Sequence, residues 1–293
     1  MNAERPGPRM HRLRRYLRKV RDRIATRFFD TGTGRKLLIH GIGPRALSMT
    51  VDCGDHVMTF APADYIGRKI FRKGHYDRDH VTRLLAILNA RHAPMQDKVL
   101  LELGGNIGTH TVYFALSQAF AHILSVEPDP RNYRLLQANL SQNGLGDQVT
   151  TINCAAGDAL GALEFFQNQN NHGRSGMVRR SASDFAITVQ LKPVSLILEE
   201  AGVSPDSVGL VWMDIEGYEP TAMRSMIALL QRRTPIYTEF TPELYGAAEG
   251  AAFVRMLAEY YEDCLVFFDD RQAAMKVRDI PLDIRQFDVL LLP

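Results

Sequence analysis

The 293-residue chain predicts an α/β fold built on a mostly parallel, doubly wound sheet, and three observations carry that prediction. From Lys98 onward, short apolar runs alternate with helix-compatible segments, the pattern of strands joined by crossover helices. The first run passes through the glycine-rich string LELGGNIGTH (101–110) directly into a helix-compatible stretch. The last two runs are joined by a loop without a helix, which predicts an antiparallel pair at one edge of the sheet.

The elements follow in chain order. Met10, Leu13, Leu17, Val20, Ile24 and Phe28 recur at spacings of three and four, one face of a helix. Pro8 suits its start, and the string TGTG at 31–34 suits its end. Residues 1–27 hold ten Lys or Arg against two acids, a local charge of +8, while the remainder carries 25 basic and 31 acidic residues, −6. The chain is an acidic domain with a basic amphipathic arm. Arg12, Arg14, Arg15, Arg18, Lys19, Arg21 and Arg23 surround the stripe. Its expected partner is the protein's own core or a second subunit, or else an anionic membrane surface met through residues 10–28; nucleic acid is disfavoured.

Residues 36–39, 47–51 and 56–60 read as short strands, and 64–72 and 79–90 as helices, a small β/α region before the main domain. The chain divides into an arm (1–30), this extension (31–92) and a main domain (93–293). Strands are expected at 98–103, 122–126, 149–154, 209–215, 235–240, 264–268 and 288–292. Helices are expected at 109–119, 130–143, 194–201, 220–231 and 251–261. The polar string QNQNNHGRSGMVRRSAS (167–183) reads as a surface loop or lid beside the site, with His172 a candidate substrate contact.

Composition narrows the class. The 45% hydrophobic and 23% charged fractions are those of an ordinary soluble domain. No apolar run approaches the ~20 residues that cross a bilayer. Cys53, Cys154 and Cys264 have no CxxC spacing and no histidine cluster nearby, so a disulfide framework or zinc site is not expected and a cytoplasmic protein is.

Charge decides what the glycine loop holds. The string GxxxxGK[ST] of a P-loop does not occur, and Gly104-Gly105-Asn106-Ile107-Gly108 places Asn where a dinucleotide loop needs its second glycine. Glu102 ends the preceding strand, and a carboxylate there disfavours a pyrophosphate and favours a cation. S-adenosylmethionine, a sulfonium with no phosphate, fits that logic. Glu127 ends the next strand some twenty residues on, where its two oxygens can accept both ribose hydroxyls. Asp158, after the third strand, is either an adenine contact or an ordinary turn residue. His110 reads as a helix-start residue near the site rather than a catalyst.

The string VWMDIEGYEP (211–220) supplies the second cluster. If its strand runs to Glu216, period-two geometry puts Asp214 and Glu216 on one face at the strand's C-terminal end, where open α/β sheets bind ligands. Glu219 is either a substrate contact or a helix-start acid. Glu239, in IYTEF, extends the acidic patch. Such carboxylates can hold a divalent cation, but that reading is not favoured and no metal ligands are assigned.

In this order, LELGGNIGTHTVYFA, VEPDPRNYRLLQANL, AAGD and WMDIEGYE resemble the FkbM-type S-adenosylmethionine-dependent methyltransferases, as does the upstream DYIGRKIFRKGHYD. The resemblance runs from about Asp64 to Phe240. It implies a Rossmann-like class I methyltransferase sheet and O-methylation of a sugar, glycolipid or other hydroxylated small molecule. It also implies cofactor binding by Glu102, Gly104, Asn106, Gly108 and Glu127, with Asp214, Glu216 and Glu219 at the transfer site; Gly105, Asp158 and Asp214 are further candidate cofactor contacts. The family more often has Asp at 102 and Ala at 105, and Leu-Asp where this chain has Leu196-Ile197. Transfer to a hydroxyl requires loss of its proton, for which Asp214 is the first candidate base or orienting group and Glu216 the second. Two rivals remain: a non-catalytic adaptor binding membrane or nucleic acid through its arm, and an NAD-dependent oxidoreductase, disfavoured by Glu102 and the missing GxGxxG.

Overall fold

The computed structural model describes residues 8–42, 46–91, 95–169, 171–268 and 271–293. Residues 1–7 of the arm, and the side chains of Met10 and Leu13 in its stripe, lie outside that description. The arm is a helix, α1 (Pro8–Phe29), followed after a short turn by α2 (Gly32–Ile42). The strand expected at 36–39 is the middle of α2. Gly34 N–H donates to the Thr31 hydroxyl at 3.0 Å and Arg35 N–H to the Thr31 carbonyl at 2.8 Å, so the TGTG string ends one helix and starts another. Three consecutive apolar residues, Leu37, Leu38 and Ile39, carry no period of their own to separate strand from helix.

The extension continues with a hairpin of β1 (Met49–Asp52) and β2 (Val57–Phe60), then α3 (Tyr65–Lys73) and α4 (Arg78–Arg91). Alternation follows in β3 (Val99–Leu103), α5 (Thr109–Ser117), β4 (His122–Val126), α6 (Pro130–Gln142) and β5 (Val149–Ile152). Next come β6 (Ala155–Gly157), β7 (Gly161–Gln167), β8 (Phe185–Pro193) and α7 (Val194–Glu200). The chain closes with β9 (Val208–Met213), α8 (Glu219–Arg224), α9 (Ile227–Gln231), β10 (Ile236–Phe240), α10 (Pro242–Tyr245), α11 (Ala247–Ala258), β11 (Asp263–Phe267), β12 (Gln272–Lys276) and β13 (Phe287–Leu291).

Within the described residues the main sheet has the order β12-β11-β13-β10-β9-β3-β4-β5. The five strands from β10 to β5 are mutually parallel. The expected antiparallel pair forms between β11 and β13, and β13 is the reversed strand, antiparallel to both β10 and β11; the pair lies one strand in from the edge. The edge belongs to β12, a short partly exposed strand that sequence reading takes for loop. A second sheet, β6-β8-β7, was also not foreseen; it starts where the expected third strand stops at Ile152. The expected helix 220–231 is two helices, α8 and α9, interrupted near Ser225.

Strand alternation divides the core into two faces. Leu101, Leu103, Val211 and Met213 pack under α7, α8, α9 and α11, while Leu100, Leu210 and Trp212 pack under α3 to α6. Met58, Phe60, Ile70 and Leu84 belong to the second face, so the 31–92 extension shares the core of the main domain. Asn139 of α6 and Asn143, which caps its C-terminal end, complete the hairpin, pairing side-chain amides with the backbone of Thr59 and Val57 at 2.7–3.0 Å. Strand order reverses between β3 and β9, so the ligand crevice of this sheet class lies beyond their C-terminal ends.

Candidate active site

At that switch point lies a cavity of about 490 Å³, lined by Gly104, Gly105, Asn106, Glu127, Asn132, His172 to Ser175, Asp214 to Glu216 and Glu239, among others. The glycine loop forms its floor. Gly104 has φ +94°, and a Cβ there would collide with the Asp214 carbonyl oxygen, so only glycine lets the loop lie against the end of β9. Gly104 and Gly105 both donate to the Val126 carbonyl at 2.9 and 3.0 Å, which ties the loop to β4. Gly108, with φ +85°, turns the chain into α5 beneath Leu136.

The two strand-end glutamates play different parts. Glu127 lines the cavity, its oxygens accepting the backbone N–H of Asn106 and of Asp129 at 2.8 Å each. Burial, reinforced by the Asp129 charge, pushes its pKa up to about 8. Each carboxylate oxygen keeps a further lone pair for a hydroxyl donor. Glu102 is fully buried behind the loop and is not among the residues lining the cavity. One of its oxygens accepts the hydroxyls of Thr111, at 2.6 Å, and Ser125. Burial raises its pKa, and those hydroxyl bonds oppose the rise. Glu102 braces β3, β4 and α5 under the loop.

Two further sequence candidates stand apart from the cavity. Asp158 is a partly exposed partner of Arg224, at 2.9 Å, with no place in the lining. Glu219 is fully buried at the start of α8. One oxygen accepts from Ile215 N–H and Gly217 N–H at 3.0 and 3.3 Å, and the other from the Tyr245 hydroxyl at 3.0 Å. Glu219 thus holds the DIEG turn from below. Burial pushes its pKa up to about 7.

That turn brings Asp214 and Glu216 together differently from the period-two expectation. β9 ends at Met213, and Glu216 and Gly217 take φ of +56° and +98°, a left-handed turn strained for the glutamate. Carboxylate oxygens of Asp214, Glu216 and Glu239 lie within 4.8 Å of one another. Burial raises the pKa of all three; the Asp214 carboxyl is raised further by Glu216, and Glu239 by Asp214. Arg180 bonds to Glu216 at 2.5 Å, and Gln286 donates to Glu239.

A second cavity, of about 570 Å³, adjoins the first and shares Tyr76, Asp77, His110, Arg174, Asp214 and Glu239 with it. Its other lining groups include Trp212, Tyr237, Phe267, His80, Arg83 and Asp288. Asp214 stands where the two meet. His110 rests on Trp212, with ring centroids 4.8 Å apart, and burial lowers its pKa to about 4, so the imidazole is neutral at pH 7.

Within the polar string, Asn171 to Ser175 and Met177 line one side of the first cavity. His172 sits in a single 3-10 turn, His172–Arg174, and donates its backbone N–H to Asp64 at 2.6 Å. The other Asp64 oxygen caps α3 through Ile66 N–H and Gly67 N–H. Asp64, Arg180, Gln286 and Asn132 were not among the sequence candidates. Asp64 carried a signal, a helix-capping residue before an apolar helix; the others depend on loop placement.

The lining fits a polar, cationic nucleoside-type cofactor. Among the described residues, buried atoms without a partner include Asn106 Oδ1, Thr109 Oγ1, His110 Nε2, Asn132 Oδ1, His172 Nδ1 and Glu239 Oε2, all on residues lining this cavity. Leaving such atoms unpaired costs ~1–3 kcal/mol each, which a bound ligand with matching donors and acceptors offsets.

Sheet order, glycine loop and strand-end acid together define a class I methyltransferase domain. A family model described as the Methyltransferase FkbM domain matches residues 102–265, and the chain belongs to the FkbM methyltransferase family. The 2-O-methyltransferase NoeI of Sinorhizobium fredii is 27% identical over 165 residues, 51% of this chain and 66% of that protein. The crystal structure of methyltransferase FkbM from Methylobacillus flagellatus is 13% identical, with a TM-score of 0.46 over 76% of this chain and 52% of that one. A SAM-dependent O-methyltransferase from Thermotoga maritima is 10% identical, with a TM-score of 0.39 over 73% of this chain and 64% of that one. The chain therefore spans about half to two thirds of the length of these relatives. No described helix is long and apolar enough to cross a membrane.

Proposed function

We propose that the chain is an S-adenosylmethionine-dependent O-methyltransferase acting on a hydroxyl of a sugar, glycolipid or similar small molecule. The observation that carries this reading is the pair of adjoining cavities that meet at Asp214, one of them built on the glycine loop and Glu127. When bound, the cofactor supplies a methyl group on a positively charged sulfur. Glu127 accepts ribose hydroxyls, and the backbone of Gly104 to Asn106 shapes the wall beside them. Asn132 and His172 offer their unpartnered atoms to the polar groups of the ligand. The second cavity, with aromatic walls of Trp212, Tyr237 and Phe267 and charged groups between them, receives the acceptor.

Asp214 takes the acceptor proton or fixes the hydroxyl's direction; its raised pKa makes it a stronger base than an exposed aspartate. Glu216, held by Arg180, orients the acceptor, and Glu239, held by Gln286, closes the acidic wall. The printed name of the S. fredii relative, a 2-O-methyltransferase, supports oxygen as the acceptor atom. The same three carboxylates are close enough to share a divalent cation, but the cation of Arg180 already neutralises one of them.

Comparative metabolite profiling of a deletion strain tests the reading. The expected result is a hydroxylated product lighter by one methylene than in the parent strain, restored by the wild-type chain but not by Asp214→Asn. Restoration by Asp214→Asn would remove Asp214 from the chemistry, and an unchanged profile would contradict the small-molecule assignment.

A further inference from the structure

No described residue of the arm lines either cavity, and of the described stripe residues Val20 alone is half-buried while the others are exposed. Leu17, Ile24 and Phe28 are 55%, 64% and 44% exposed on α1, so the chain's own core does not cover them. At 100° per residue Leu17, Ile24 and Phe28 fall within a narrow sector, bordered by Arg14 and Arg21 on one side and Arg27 on the other. Nine Lys or Arg lie on α1 against one acid, Asp22, which is already bound to Arg21 at 2.7 Å.

We infer that α1 is a docking element for an anionic membrane surface, lying in the plane of the interface with this stripe turned toward the acyl chains. Charge complementarity selects the partner. Two copies packed stripe to stripe would set the bordering arginines of one helix against those of the other, whereas an anionic bilayer meets apolar side chains and bordering arginines at the same time. α2 packs on α3, whose Tyr65 and Ile66 line the first cavity, so the arm is joined to the site through a short series of packed helices. Docking would hold the enzyme where a hydroxylated headgroup or lipid-linked acceptor is presented. The inference itself does not depend on the chemistry of the cavity.

Co-sedimentation of the full-length protein with vesicles of phosphatidylcholine alone, and of phosphatidylcholine with phosphatidylglycerol, tests it. Binding is expected only to the phosphatidylglycerol vesicles, and it should weaken as salt screens the charges. The double variant Leu17→Asp/Ile24→Asp should lose more than about tenfold in vesicle affinity, with an unchanged melting temperature because both side chains are exposed. Removal of residues 1–27 should give the same result and guards against misfolding of the double variant. Full-length protein that ignores phosphatidylglycerol vesicles at low salt overturns the inference. So does vesicle binding that survives both variants, or a dimer that the double variant dissolves while vesicle binding persists.

Discussion

At the scale of single residues, the proposed function gives Glu127 to the cofactor and Asp214 to the acceptor, and each role is measurable. Asp214→Asn should lower turnover on the true acceptor by roughly 10²-fold, the usual loss for a general base, while cofactor affinity changes little. Glu127 titrates near pH 8 because burial disfavours its charge, and a neighbouring sulfonium favours that charge. Binding should therefore expel protons, and affinity should rise with pH up to about 8. Calorimetry in buffers of different ionisation heat reads the proton release; uptake of protons would contradict the assignment. Glu102 shows where sequence reading of single residues stops. Its position at a strand end was legible, but which way a strand-end side chain points depends on Thr111 and Ser125, hydroxyls that carry no such signal. Asp158 and Glu219 each take the second of the two roles their positions allow, a turn residue and a helix-start acid, since Arg224 and the backbone of the DIEG turn claim their oxygens first.

Elements were more legible than contacts, because strand and helix periods are local and the loops that dress the site are not. β3, β4, β9 and β10, with the turn between β3 and α5, stand close to where periodicity puts them. β11 and β13 pair antiparallel as periodicity and the missing crossover helix predict, but β12 takes the edge outside them, a short partly exposed strand with little local signal. The sheet of β6, β7 and β8 departs from expectation even though β8 carries a period-two signal, with Phe185, Ile187, Val189 and Leu191 alternating against Ala186, Thr188, Gln190 and Lys192; β6 is three residues long and the first half of β7 is exposed, so neither adds a signal of its own. Asp64 is the element-scale hinge of the site: it caps α3 and holds His172 at once. Asp64→Ala should cost about 1 kcal/mol for the lost cap. It should also weaken cofactor binding, because the 172–174 turn loses its anchor; a lower melting temperature with unchanged affinity would separate that turn from the ligand.

Across the whole molecule, buried acids set how the domain responds to pH. Glu127 and Glu219 hold their protons in the folded state up to about pH 8 and 7, whereas in the unfolded chain they lose them near 4.5. The folded form binds more protons over that window, so their contribution makes stability fall as pH rises from about 5 to 8. Thermal melts of the free protein should show this decline, and Glu127→Gln should flatten it. The parallel sheet with its switch point between β3 and β9, the glycine loop against Asp214 and the partner-hungry lining together make one claim, that the first cavity is built for S-adenosylmethionine. Isothermal titration of the wild-type chain and Glu127→Ala with S-adenosylmethionine and with NAD tests it most directly. Saturable binding of S-adenosylmethionine, at least tenfold weaker in Glu127→Ala, with no comparable binding of NAD, is the result expected. Tight NAD binding without a response to S-adenosylmethionine, or an affinity for S-adenosylmethionine indifferent to Glu127, would contradict it.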